Sequence, residues 1–247
     1  MIEVYSYSIK LIDPLFFARE GISGAFTAPY LHATAINHAV TWTMGVGRPD
    51  QSYLIGEGNG HRNEPHYKNS KIEENFYFTP ARLITSVNYY TEVAKGDGDQ
   101  FIQVGYGAAK INGISVGRNE VLKAYKLYSI APESVFEGYL YTKNDKGLFP
   151  KLIRLGSFRS LAVLEIKKKY KILGKEKNKC CDHPVDPLVH KPIMGILVPL
   201  LPYPIVENAV LETVWEIRKY GKRKFVAALV ELWQDRKKAD IGVTSIF

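Results

Sequence analysis

Cysteine is almost missing: the 247 residues contain two, and these are neighbours, Cys180 and Cys181. A disulfide-stapled scaffold is thereby excluded. Adjacent cysteine side chains diverge, and zinc sites leave about two to four residues between their cysteines. Cys180, Cys181, His183 and His190 therefore make a poor metal set and read as a reduced thiol pair beside unrelated histidines. Long apolar runs are missing too. The longest, Ile193–Val206, is broken by Gly195, Pro199, Pro202 and Pro204, so no segment has transmembrane length. The N-terminus MIEVYSYSIKL lacks the basic region and apolar core of a signal peptide, which predicts a cytoplasmic protein. No Ser-His-Asp order, HExxH or paired-carboxylate motif stands out, and no cofactor is implied. His32 and His38 are six residues apart and do not share a helix face, so joint metal ligation is not expected.

Acid is scarce in one half of the chain. Residues 1–120 carry 10 Lys+Arg against 12 Asp+Glu, a net of −2, whereas residues 121–247 carry 23 against 13, a net of +10. A one-sided cationic balance points to a polyanionic partner such as nucleic acid. A membrane fits less well, because no basic amphipathic anchor or lipidation signal accompanies the charge. Lysine enrichment for heat stability would not explain the asymmetry. The seven lysines of 167–179 predict a solvated hairpin or loop; as an RNA contact they would act through counterion release alone. Lys222-Arg223-Lys224 is either a basic turn or a phosphate clamp.

The length suits one large or two small domains, and the 46% apolar content is that of a globular chain. Tyr5, Tyr7, Ile9 and Leu11 alternate with polar residues and predict a half-buried strand ended by Pro14. Leu31, Ile36, Ala39, Val40 and Met44 recur at helical spacing, so 30–44 predicts a helix stopped at Gly45. Residues 56–71 read as a loop, and 95–100 as a hairpin turn. Strand character marks 76–78, 83–93, 121–130, 135–141, 152–155 and 160–173, and helical periodicity returns at 207–218 and 224–233. One early helix with several long strands predicts an α+β fold. Gly105–Gly107 with Lys110, and Gly113–Gly117 with Arg118, match neither the Walker nor the dinucleotide spacing and predict turns between strands.

Three short segments set an arginine among apolar or turn-forming residues: Phe16–Glu20 (FFARE), Tyr77–Leu83 (YFTPARL) and Ile153–Ser160 (IRLGSFRS). A planar guanidinium fixed on a rigid scaffold suits phosphate and base edges. Pairing with a core-edge carboxylate, or lying over an aromatic ring, is the competing reading for any one of them. In IRLGSFRS, alternation places Arg154 opposite Ile153 and Leu155, and Gly156-Ser157 permits a bend that returns Arg159 towards Arg154 as a two-pronged clamp.

These segments, in this order, together with Tyr30-Leu31-His32, APESVFEGYL at 131–140, HPVDPL at 183–188 and Asn208-Ala209, resemble a CRISPR subunit family. It is the Cas-five-like (Csc-one) subunit of the type I-D Cascade, within the RAMP superfamily. The resemblance spans roughly residues 5 to 210; FFARE is one residue shorter than the family pattern, and nothing after Leu211 matches. It implies a ferredoxin-like, RRM-type fold with a strand-rich insertion. One domain, 1–247, would carry insertions near 56–71 and 96–120 and a basic C-terminal extension from about 207.

The function implied is a non-catalytic subunit that grips the 5′ handle of CRISPR RNA and caps the backbone of the major RAMP subunit. It would also dock the large subunit close to target DNA, near the protospacer-adjacent motif. The candidate RNA contacts are Arg19, Tyr30, His32, Arg82, Arg118, Arg154, Arg159, Lys222 and Arg223, with Tyr30, Phe76 or Tyr77 stacking splayed bases. Two alternatives stand beside this: a metal-independent repeat endoribonuclease using a histidine such as His32, and a generic basic RNA-binding protein. A helix-capping role for His32 competes with both.

Overall fold

A computed structural model describes residues 2–17, 25–45, 76–95, 108–111, 114–117, 124–143, 149–200 and 203–228. The elements, in chain order, begin with β1 (Glu3–Leu11), β2 (Ala25–Phe26), β3 (Tyr30–Leu31), α1 (Ala33–Thr43), β4 (Phe76–Phe78), β5 (Ala81–Leu83) and β6 (Tyr89–Lys95). They continue with β7 (Ala108–Ile111), β8 (Ile114–Gly117), β9 (Ala124–Ile130), β10 (Val135–Thr142), β11 (Leu152–Leu155) and β12 (Ser160–Tyr170). The last four are β13 (Gly174–Cys180), β14 (Pro192–Val198), β15 (Ile205–Lys219) and β16 (Lys222–Ala227). The molecule is thus strand-rich, with a single helix among the described residues.

The largest sheet runs β11-β12-β1-β10-β5-β3, with β4 also paired to β10, and every pairing is antiparallel. Strand β1 sits at its centre and is buried on both faces, not on one as the alternation predicts. Tyr5, Tyr7, Ile9 and Leu11 face a core shared with Leu31, Ile36, Val40, Phe76, Phe78, Phe136 and Leu140. The other face is covered as well: Val4 joins a second core, and Ser6 and Ser8 are buried. Gly138 of β10 lies opposite Tyr7, whose ring occupies the space a Cβ would need, 2.6 Å from the phenol oxygen. That hydroxyl donates to the Thr79 carbonyl at 2.6 Å.

Helix α1 covers the first core because Ile36 and Val40 recur one turn apart on its inner side. His32 caps it: the imidazole Nδ1 accepts from Thr34 N at 3.0 Å. Asn37 fixes the helix to β4, donating to Phe78 O at 2.8 Å and accepting from Phe78 N at 2.9 Å. Gly45 follows with φ of 70°, the left-handed conformation that ends a helix.

The two predicted C-terminal helices are a correction. Residues 205–219 and 222–227 are strands β15 and β16, in a four-stranded sheet ordered β13-β15-β14 with β16 paired to β15. Trp215, Ile217, Val226 and Ala228 pack on Tyr77, Tyr139, Tyr141 and Tyr170 of the first sheet. The Tyr141 hydroxyl donates to Ala227 O at 2.8 Å across that seam. Helix, sheet and sheet make three layers, and residues 205–228 contribute to the core between them; 229–247 lie outside the described residues. The small sheets β2-β9-β6 and β7-β8 complete the described structure. The predicted loop at 56–71 lies outside the described residues, as does the turn predicted at 95–100 beyond Lys95, which ends β6.

Candidate nucleic-acid interface

Alternation in Leu152–Leu155 does what its pattern demands. Ile153 and Leu155 are buried and Leu152 and Arg154 exposed. The chain then turns from β11 into β12 through Gly156-Ser157-Phe158-Arg159. Gly156 has φ of 75°, and a Cβ there would sit 2.5 Å from the Phe16 carbonyl oxygen. Arg159 also has positive φ, 56°, which is sterically unfavourable for a residue with a side chain. The turn is tied to the segment before it: Ser157 N donates to Phe16 O at 2.8 Å, and Leu161 N donates to Asp13 Oδ2 at 2.9 Å.

The turn brings the Arg154 side chain to the backbone of Arg159. One guanidinium Nη of Arg154 donates to the Arg159 carbonyl at 3.0 Å. Both side chains are exposed, and neither has a carboxylate partner among the described residues. The competing reading, a pair with a core-edge carboxylate, is not made among the described residues. The turn therefore holds two positive charges at one edge of the large sheet. Arg19, the arginine of FFARE, lies outside the described residues, as does Arg118.

Arg82 sits elsewhere. It is opposite Tyr30 in the β3–β5 pairing, and its guanidinium meets Glu207 at 3.1 Å. Its side chain is 42% exposed and that of Glu207 13%. This is the core-edge ion pair that competes with a ligand role. Burial and the nearby Glu207 carboxylate raise the Tyr30 phenol pKa, and Arg82 offsets part of that. A shallow recess next to the pair is lined by Arg82, Glu137, Tyr139, Asp182, His183 and Lys219. Its charges are matched: Glu137 pairs with Lys167 at 3.4 Å and Lys219 at 3.5 Å, and Asp182 takes Lys224 and the Tyr139 hydroxyl. Burial alone would raise the Asp182 pKa, but the hydrogen bonds from Lys224 and Tyr139 prevail and hold it below its usual value.

Several of the expected contact residues are buried or already paired within the chain. His32 is 4% exposed, its Nδ1 is committed to the helix cap, and its ring stands edge-on to Tyr203 at 4.5 Å. Burial lowers its pKa. So enclosed, the ring caps and packs the helix, the reading that competes with an RNA contact. Phe76 and Tyr77, at 0% and 3% exposure, are core residues and cannot stack a base. Arg223 is engaged by Glu216 through Nε at 2.6 Å and Nη at 2.8 Å, and by Glu176 at 3.2 Å. Its neighbour Lys222 is exposed at the β15–β16 turn beside Tyr220, itself 86% exposed.

HPVDPL is architecture. His183 is buried; its Nδ1 donates to Pro184 O at 2.8 Å and its Nε2 accepts from Ala227 N at 3.2 Å. Burial is the main reason its pKa falls to about 4. Asp186 accepts from Leu188 N and from the Tyr203 hydroxyl, each at 2.9 Å. Cys180 is exposed and Cys181 buried, both free, and burial pushes the Cys181 thiol up to about 12. Among the described residues no three His, Cys, Asp or Glu side chains are grouped to hold a metal. No described helix is long and apolar enough to cross a membrane.

Sequence reasoning missed Phe158. The ring lies on the outer side of the Arg154–Arg159 turn and stacks on Phe16, centroids 5.3 Å apart and planes at 17°. A signal was present: an aromatic residue inside a glycine-bearing turn, bracketed by two arginines.

The family model described as type I-D CRISPR-associated protein Cas5/Csc1 matches residues 2–231. Among solved structures, the chain is similar to a chain of a Type III-B Cmr-beta complex bound to cognate target RNA, with 17% identity and a TM-score of 0.35. That match covers 68% of this chain and 60% of the other, so this chain spans less than two thirds of it. A second Type III-B Cmr-beta chain, from the complex with cognate target RNA and AMPPnP, is 12% identical over 89% of this chain and 86% of that one, at a TM-score of 0.41. Cmr4 (Cas7) of Pyrococcus furiosus is 8% identical over 67% and 99% respectively, at 0.29. No curated protein sequence matches.

Proposed function

The chain belongs to the type I-D CRISPR-associated Cas5/Csc1 family, and from that premise we propose that it serves as a non-catalytic, CRISPR-RNA-binding subunit of the effector complex. The observation that carries this reading is the β11–β12 turn, where Arg154 and Arg159 stand exposed, the Arg154 guanidinium donating to the Arg159 backbone carbonyl and neither side chain claimed by a carboxylate among the described residues. Arginines with no carboxylate partner among the described residues, on a backbone locked by Gly156 and Phe16, form a phosphate clamp of fixed shape. It holds the 5′ handle, with Lys222 adding charge and Tyr30 a secondary contact. The subunit caps the major-subunit backbone, docks the large subunit and lies close to target DNA, whose sequence is read by guide pairing.

Strands β1 and β4/β5 are joined through α1 and separated by antiparallel β10, while β12 flanks β1 on the other side. That order supports a ferredoxin-like unit whose second crossover lacks a helix among the described residues. The endoribonuclease alternative needs an accessible general acid or base, and the burial of His32 speaks against the histidine proposed for it.

The test is handle-RNA binding by the purified full chain across a salt series. Double substitution R154A/R159A should leave the melting temperature nearly unchanged. It should weaken binding and reduce the slope of log affinity against log salt by roughly two, about one per lost phosphate contact. Unaltered affinity and slope would overturn the clamp. Reproducible cleavage of repeat RNA at one position would overturn the non-catalytic reading.

A further inference from the structure

Phe158 is 59% exposed. Scattered exposed apolar residues are ordinary and need no explanation, but this one is held rigidly. Its inner face is backed by Phe16, which is 5% exposed. Hydrogen bonds pin the backbone that carries it: Ser157 N to Phe16 O at 2.8 Å, Arg159 N to Gly156 O at 3.2 Å, and Ser160 Oγ to Pro14 O at 2.5 Å. Positive φ at Gly156 and Arg159, on either side of Ser157-Phe158, fixes the direction in which the ring points. The outcome is one flat aromatic face, open to solvent and preorganised, in the same turn as two cations with no carboxylate partner among the described residues.

We propose that Phe158 is a stacking platform for one splayed base of single-stranded RNA, with Arg154 and Arg159 holding the flanking phosphates. The proposal rests on the RNA-binding reading above and deepens it to a residue and a mode of contact. Phe16 occupies the inner face, so the platform accepts a base only from outside. Every base has a π-face, so stacking here is tolerant of sequence, and the paired cations complement the backbone on both sides of the stacked nucleotide. The exposed apolar side chains of β14 lack this combination. Ile193, Met194, Ile196 and Leu197 of β14 are exposed but aliphatic, next to no clustered arginines.

The experiment uses the purified full chain and a fluorescein-labelled single-stranded RNA of handle sequence, with oligo-U and oligo-A of equal length as comparators. F158L keeps apolar bulk and removes the π-face; F158W keeps the π-face. F158L should weaken binding to all three RNAs by about 5- to 150-fold, the range set by loss of one base–aromatic stack. F158W should bind within about threefold of wild type. The salt slope should stay unchanged in both, because no phosphate contact is lost. Melting curves matching wild type confirm folding, as expected for a side chain more than half exposed.

F158L binding as tightly as wild type, while R154A/R159A binds weakly, would overturn the platform and leave the clamp standing. Absence of RNA binding by the wild-type chain would instead sink the function on which the platform rests. If F158L bound RNA normally but failed to assemble with partner subunits, the face would be a protein contact and the proposal wrong.

Discussion

Arg82 and Glu207, 125 residues apart in the chain, join the two large sheets through a guanidinium–carboxylate contact at 3.1 Å. The second carboxylate oxygen of Glu207 is buried and has no hydrogen-bond partner. Arg82 is therefore the main compensation for a largely enclosed negative charge at the seam.

Removing that compensation should destabilise the fold. R82A is expected to cost about 1–3 kcal/mol, the penalty for stranding a buried polar group, with the partial exposure of Arg82 keeping the loss below that of a fully buried pair. The double variant R82A/E207Q should recover part of the loss, because the stranded charge is then gone. Urea unfolding of the single and double variants reads this directly. Equal stability of R82A and wild type would show that water replaces the guanidinium without penalty.

The acid side of the stability profile should be set first by His183. Its folded pKa is about 4 against an ordinary value of 6.5, so the folded state prefers the neutral ring. The unfolded chain then binds an extra proton between those values. Stability is complete above pH 6.5 and is lost as pH falls towards 4, by roughly 3 kcal/mol in all. His32, also depressed by burial, acts in the same direction. Asp182 behaves differently: its lowered pKa contributes stability that is present above the usual carboxylate pKa and lost at still lower pH. Denaturant midpoints measured from pH 7 to 4 should fall steadily for wild type, while H183Q should be less stable throughout yet flatter over that window.

Glycines of equal φ should differ by their neighbours. Gly156 and Gly221 both have φ of 75°, but a Cβ at Gly221 meets nothing within 4 Å, whereas at Gly156 it meets the Phe16 carbonyl oxygen at 2.5 Å. G221A should cost only the backbone strain, about 1 kcal/mol. G156A adds a backbone clash, for a total of about 2–4 kcal/mol, and lowers Tm by roughly twice as much or more. G156A should also weaken handle-RNA binding, because the clash is relieved only by moving the arginine-bearing turn. Equal Tm losses for the two variants would refute the account of Gly156.

Local pattern was informative where one neighbour dominates. Ile36 and Val40 lie on the buried side of α1, and Leu152–Leu155 alternates as drawn because its outer face is open. The error at 207–218 has a physical source. Strand β15 is broken in register against β14, shifting between Pro192 and Met194 and again between Met194 and Ile196, and Asn208 has φ of 52°. Such irregularities interrupt the two-residue period, so the apolar residues Ala209, Val210, Val214 and Ile217 fall at spacings that imitate a helix. Val210, Thr213, Val214 and Ile217 are β-branched, and that composition was the better guide. Which arginine meets a carboxylate was not legible at all: Glu207 reaches Arg82 only because two sheets pack, whereas Arg154 meets no carboxylate among the described residues. Phe158 was visible as a letter but not as a surface, since its exposure follows from Phe16 lying beneath it.

Strand β1 is flanked on both sides by strands made much later, with Tyr7 opposite Gly138 on β10 and opposite Ile166 on β12. On the ribosome, at about 5–20 residues per second, Tyr7 waits roughly 7–30 s for its first partner strand. Throughout that interval an aromatic, β-prone segment has nothing to pair with. The nascent chain is therefore most vulnerable to mispairing with its neighbours on a polysome, and a chaperone that shields the first dozen residues would raise its yield more than one acting on the finished chain.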